Sequence, residues 1–201
     1  MKNNQLMKRA FRLYARTLLT SVLGAFMYLS IGVIAHALTP ENKTLSGAGW
    51  FAMNAVALLV QGFLFSTVVY SESWRHGDKD GAQKIFNNKE GNPHFGLKVG
   101  LVATIPAWIS FIVLIAEKLF GFWPQYTMVY RVAHLSLYPI IVWSMGSMWN
   151  VPAGDISWGG IWCSALPTVI TVAMTWLAYN LGFRQISVGQ RIMYADKLGK
   201  K

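Results

Sequence analysis

Cysteine and acidic residues are both scarce in this chain. Cys163 is the only cysteine among 201 residues, which excludes an internal disulfide, a CxxC pair and a cysteine metal site. The chain has 18 Lys and Arg residues but only 8 Asp and Glu residues. It also lacks an HExxH element, a GxSxG element and a phosphate-cradling loop. We therefore predict no enzymatic activity, no cofactor and no metal, with a lipid-acting membrane enzyme as the remaining catalytic alternative.

Long apolar runs are abundant instead. Four stretches contain no acidic residue, and their only Lys or Arg is Lys98: Thr17–Leu38, Trp50–Tyr70, Leu97–Ala116 and Ile161–Gly182. Each is close to the roughly 20 residues that a helix needs to cross a bilayer. The lack of acidic groups in these stretches argues against a proton-coupled pump. The sequence thus predicts an all-α integral membrane protein, with residues 1–201 forming a single membrane domain.

The basic residues divide unevenly around these stretches. Residues 1–16, 71–98 and 183–201 contain five Lys or Arg residues each, and only Lys43, Lys118 and Arg131 lie elsewhere. Such a bias is typical of cytosolic segments of membrane proteins. We therefore expect both termini, a loop over 71–96 and a tail over 183–201 to be cytosolic. Nucleic acid is not expected as a partner, because the stripe of basic and aromatic residues that it requires is missing.

One further segment, 126–149, is apolar enough to resemble another span. Counting it as a crossing gives five transmembrane helices and places the basic tail outside, against the charge rule. It also contains Arg131, His134 and Pro139, which are unfavourable in mid-bilayer on a lone helix. We favour a four-helix transmembrane bundle with an outer re-entrant or interfacial segment broken at Pro139, and five transmembrane helices remain the alternative.

Small residues recur at steps of three and four in two of the spans. They line one face of the third span and one of the last, and this spacing predicts close helix packing. The members are Gly96, Gly100, Ala103, Ala107 and Ser110, and then Ser164, Thr168, Thr171, Thr175, Ala178 and Gly182. By contrast, the run Gly77–Gly81 is rich in turn-forming residues and predicts a solvated turn in the loop.

Three short elements resemble a group of functionally uncharacterised multi-span membrane proteins of Gram-positive bacteria. The tail reads GFRQISVG from Gly182, the third span opens with GLKVGL from Gly96, and a Tyr-Arg pair stands at Tyr130. The resemblance covers about residues 50–195 in outline, although the loop after the second span departs from the family pattern. It implies a bacterial plasma-membrane protein and no particular activity.

Polar residues in the apolar segments are the candidate ligand-binding groups. Arg131 and His134 lie one helical turn apart and could hold an anion or a lipid headgroup. The alternative is that Arg131 extends to the interface while His134 bonds a carbonyl. The other candidates could line a polar path or simply bond between helices. They are Asn54, Gln61, Thr168 and Thr171.

Two functions are consistent with these patterns. The first is a non-catalytic membrane subunit or accessory protein that docks a partner through its cytosolic loop and tail. The second is a small substrate-binding or permeation protein with an anion or lipid site near Arg131. Membrane lipids are expected partners in both cases, together with a partner protein or a second copy of the chain. The first stretch resembles a signal peptide, but its apolar run exceeds the roughly 7–15 residues of that class, so we expect it to be retained.

Overall fold

The computed structural model describes residues 2–39, 45–87, 91–146 and 151–186, and within these ranges every regular element is helical. The helices are α1 Lys2–Ala37, α2 Gly47–Asn87, α3 Phe95–Ala103, α4 Ile105–Phe120, α5 Tyr126–Ala133, α6 Tyr138–Met145, α7 Trp158–Ser164 and α8 Leu166–Phe183. The prediction of an all-α protein is confirmed for this part of the chain.

Three continuous stretches of helix are long and apolar enough to cross a membrane. They lie in α1, in α2 and in the combined run of α7 and α8, Trp158–Phe183. A fourth candidate is the pair α3 and α4, which is bent by 49° at Thr104. The bend falls just before Pro106, in the first turn of α4, where the missing N–H of proline is tolerated. The described chain therefore has three to four helices able to span a bilayer.

The apolar segment after residue 125 is broken into short pieces. Helices α5 and α6 have eight residues each, and a 3₁₀ turn at Leu135–Leu137 joins them. Eight residues rise only about 12 Å, less than half the hydrocarbon thickness. The break lies at residues 134–137 and not at Pro139, which instead occupies the first turn of α6. Residues 147–149 of the predicted segment lie outside the described residues.

Helix α2 contradicts the predicted loop. It continues without interruption from the apolar span through residues 71–87, including the Gly77–Gly81 run that predicted a solvated turn. At 41 residues it is about 60 Å long, twice the hydrocarbon thickness. Only 91–94 of the predicted loop's described residues are non-helical before α3 begins. The expected loop is thus mostly a helical extension.

Close backbone contact with α8 explains why these glycines are helical. A Cβ added at Gly77 would lie 2.9 Å from the Phe183 nitrogen and nearer still to the Tyr179 carbonyl oxygen. One added at Gly182 would lie 2.8 Å from the Asp78 nitrogen. Gly81 meets the Phe183 carbonyl in the same way. The glycines serve as a packing surface, as small residues do between membrane helices, because they let two backbones approach.

The predicted small-residue face of the last span is confirmed. Its six members are all buried, and they run from Ser164 at the end of α7 to Gly182 near the end of α8. On the third span the buried part of the face comprises Gly96, Gly100 and Ala103 and stops at the bend. Gly96 and Gly100 pack against Tyr179 and the segment around Val172, so α8 packs against α3 as well as α2.

Candidate functional site

Asn54 and Gln61 share a buried face of α2 and bond between elements. The Gln61 amide nitrogen donates to the Gly24 carbonyl of α1 at 2.8 Å, and its oxygen accepts from the Tyr138 backbone N–H at 3.1 Å. Asn54 accepts from the Tyr28 hydroxyl of α1 at 3.2 Å. Gln61 thus ties α1, α2 and the start of α6 together. The geometry favours the interhelical role that was the alternative to a polar path.

Arg131 is fully buried, at 0% exposure, on α5. Its two terminal nitrogens donate to the Gly146 carbonyl at 2.8 Å and the Met145 carbonyl at 3.0 Å. These carbonyls are the unsatisfied acceptors at the C-terminal end of α6, where the helix dipole favours a cation. Arg131 therefore caps a helix from inside the protein. It neither extends to the interface nor stands open to a ligand, so an anion site at Arg131 stays a prediction that this geometry does not favour.

His134, Thr168 and Thr171 do come together. They line a cavity of about 60 Å³ between α1, the 3₁₀ turn and α8, together with Thr17, Ser21 and Thr104 and several apolar side chains. The His134 Nδ1 lies 2.9 Å from the Tyr130 carbonyl oxygen, and its Nε2 lies 3.4 Å from the Thr168 hydroxyl. The cavity has room for a few water molecules and is far below the roughly 300 Å³ of a small organic-ligand pocket. Three of the six predicted site residues therefore share a cavity.

A second polar cluster, at the end of α4, bonds to the loop around residues 153–156. Lys118 donates to the carbonyls of Ala153 and Gly154, each at 3.1 Å, and also to that of Ile156. The buried Glu117 carboxylate accepts from the Ala153 N–H at 3.1 Å. All these bonds fix the backbone of one loop. Lys118 and Glu117 therefore have a structural role, because both side chains already bond to the backbone of this loop.

The strongest concentration of charge lies at the other end of the bundle, in a region we call the polar head: residues 2–16 of α1 and residues 71–87 of α2. Glu72 is only 2% exposed there, and its carboxylate oxygens meet Arg12 at 3.0 Å and Arg16 at 2.9 Å. His76, one turn along α2, lies 3.1 Å from the same carboxylate. A buried carboxylate is stable only when it is paired, so these contacts lock the two helices together.

Asp80 forms the second ion pair of the polar head. The Arg9 guanidinium donates to both carboxylate oxygens, at 2.5 and 2.9 Å, and the Tyr179 hydroxyl of α8 donates at 2.7 Å. Burial alone would raise the pKa of the Asp80 carboxyl, but the bonds from Arg9 and Tyr179 outweigh it and hold the pKa below its ordinary value. The expectation of a solvated turn at Asp80 was wrong, because this carboxylate joins three helices.

Sequence reasoning missed this network although its periodicity is visible. The acidic and imidazole groups recur every four residues on α2, and the arginines recur at three and four on α1, as one helical face requires. The members are Glu72, His76 and Asp80, facing Arg9, Arg12 and Arg16. The glycines between the acids predicted a turn, and that interpretation hid the helical spacing.

The chain matches no protein-family model, no curated protein and no solved structure. Similarity therefore contributes nothing to the functional argument, which rests on the geometry alone. The resemblance to the Gram-positive membrane proteins stays a prediction.

Proposed function

We propose that this protein is a non-catalytic integral membrane subunit that docks a partner through its polar head. In this proposal it is a multi-pass protein of the bacterial plasma membrane with both termini and the polar head in the cytosol. Four crossings carry the bundle, and α5 with α6 forms a re-entrant element at the outer side. The 15 basic residues in three segments support this orientation.

The observation that carries the proposal is the rigid helical extension of α2. Residues 71–87 continue beyond the apolar span for about 25 Å and are fixed to α1 by ion pairs and to α8 by glycine contacts. Near its end, Phe86 is 83% exposed and Ile85 is also exposed, beside Lys84. Large apolar side chains beyond the membrane are typical of an interaction surface.

Charge indicates what kind of partner would fit. Residues 2–16 contain five basic and no acidic residues, and residues 71–87 contain three of each, so the polar head has a net charge of 5 + 3 − 3 = +5. An acidic protein surface with an apolar centre would complement it. The sequence also predicts that the tail, residues 183–201, takes part in docking. Most of this tail lies outside the described residues, which end at Ile186.

A site-specific cross-link tests this proposal. A photoreactive amino acid replaces Phe86 in one variant and Leu119 in a matched control, which is also exposed but lies at the other end of the bundle. In native membranes we expect one acidic protein to be cross-linked reproducibly from Phe86 and not from Leu119. The same cross-link should weaken when Lys84→Glu reverses a neighbouring charge. Cross-linking to lipid alone, or equal capture from both positions, would refute the docking role.

The cavity at His134, Thr168 and Thr171 supports a second candidate function, a small permeation or substrate-binding protein. Hydroxyl groups and one imidazole at membrane depth are the kind of groups that line a polar path. Its test is flux in proteoliposomes with Thr171→Val, which replaces a hydroxyl by a methyl of similar volume. A change in the flux of water or protons would favour this candidate over docking.

A further inference from the structure

An open basic groove runs between α1 and α2 in the polar head, separate from the exposed tip at Phe86. It has a volume of about 360 Å³. Its described lining contains five Lys or Arg side chains, one imidazole and one amide: Lys8, Arg9, Arg12, Arg75, Lys79, His76 and Gln5. No Asp or Glu is among these lining residues, although Glu72 and Asp80 lie next to the groove and pair with two of its arginines.

Two kinds of cation surround this groove. Arg9 and Arg12 are held in place by their ion pairs with Asp80 and Glu72. Lys8, Arg75 and Lys79 form no ion pair with any residue that the structure describes. Fixed guanidinium groups therefore lie beside cations that have no anionic partner among the described residues. Guanidinium and ammonium groups together favour phosphate, whose several oxygens accept from both.

The depth of the groove indicates which phosphate it meets. Arg12 lies five residues before the apolar run of α1, and Arg75 lies five residues after that of α2. At 1.5 Å per residue both stand roughly 7.5 Å beyond the hydrocarbon edge. The polar layer of a leaflet is about 5–7.5 Å thick, so the base of the groove lies at the outer edge of the lipid headgroups.

We propose that this groove binds the phosphate of an anionic lipid headgroup. The fixed arginines and Arg75 would contact the phosphate oxygens, and Lys8 and Lys79 would close around them from the cytosolic side. This lipid site does not rest on the proposed docking function, because its residues are distinct from the tip at Ile85 and Phe86.

Native mass spectrometry of the full chain in detergent provides the test, with phosphatidylglycerol and phosphatidylcholine as probes. The groove variant is Arg75→Gln with Lys79→Gln. The control is Lys84→Gln with Lys98→Gln, which removes the same charge from exposed sites at the same end of the bundle. A hydrogen bond to a charged group contributes roughly ten-fold to affinity, so we expect the affinity for phosphatidylglycerol to fall roughly 100-fold in the groove variant and much less in the control. Phosphatidylcholine binding should change little in either.

Several outcomes would overturn the lipid site. Equal losses in the two double variants would mean a diffuse surface attraction and no site. Displacement of the lipid by inorganic phosphate, beyond that by chloride at the same ionic strength, would mean that the groove takes free phosphate. Unchanged lipid affinity together with loss of the Phe86 cross-link would assign the groove to the protein partner. Unaltered thermal unfolding of both variants checks that each remains folded.

Discussion

The close contact between α2 and α8 predicts that replacing glycine by alanine has opposite effects on stability at two positions of α2. Gly77→Ala places a Cβ 2.9 Å from the Phe183 nitrogen, whereas Gly62→Ala meets no atom within 4 Å. Both changes replace glycine by alanine in a helix interior, so their intrinsic helix propensities are matched. Any difference between them measures the helix contact.

The magnitude follows from the geometry. Ordinary Cβ contacts begin at about 3.4 Å, so α8 must move away from Gly77 by at least 3.4 − 2.9 = 0.5 Å at the Phe183 nitrogen, and farther at the Tyr179 carbonyl. A gap of that size loses a quarter or more of the dispersion attraction along the contact. We expect Gly77→Ala to lower the free energy of unfolding by about 2 kcal/mol, within the range for overpacked cores. Gly62→Ala should raise it by about 0.5 kcal/mol through helix propensity.

The assay is unfolding by dodecyl sulfate in mixed micelles, followed by the fluorescence of the nine tryptophans. Gly182→Ala probes the same contact from α8, because its Cβ would lie 2.8 Å from the Asp78 nitrogen. The double variant of Gly77 and Gly182 should cost less than the sum of the single changes, since one separation relieves both. Equal free energies of unfolding for Gly77→Ala and Gly62→Ala would refute the close backbone contact.

Three further predictions concern the charged groups and the orientation. Glu72→Gln should lower the free energy of unfolding by about 2 kcal/mol. This is less than the 3–5 kcal/mol for breaking a fully buried pair, because the arginine partners of Glu72 are partly exposed and reach water. An unchanged melting temperature would contradict the conclusion that these ion pairs hold α1 and α2 together. Arg131→Lys should destabilise the protein by about 1–3 kcal/mol, because one ammonium replaces a fork that bonds two carbonyls. It should leave the bound-lipid profile unchanged, with Arg184→Lys, an exposed arginine outside the groove, as the control. An altered lipid profile would revive an anion site at Arg131. A cysteine at Asn88 and one near the C-terminus, each in a Cys163→Ser background, should resist an impermeant thiol reagent in intact cells; labelling of the C-terminal cysteine from outside would establish an odd number of crossings.

Sequence patterns alone predict the all-helical architecture and the packing face of the last span. Apolar runs of about 20 residues without acidic groups indicate membrane helices because burying an unpaired charge in hydrocarbon is unfavourable. The spacing from Ser164 to Gly182 identified the buried face of α8 because helical periodicity is a local property of the chain. Asn54 and Gln61, which the sequence marks as polar residues inside an apolar run, are also buried.

The roles of the polar and glycine residues depend on contacts between distant parts of the chain. Glycine suits both a turn and a close helix contact, and the choice at Gly77 and Gly81 depends on the backbone of α8, about 100 residues away. Arg131 is likewise a residue type that commonly binds anions. Its partners in the structure are two carbonyls at the end of α6, which no local sequence pattern identifies. The polar head forms because α1 places its arginines against the acids of α2, and such long-range pairing is set by how helices pack and not by either helix alone.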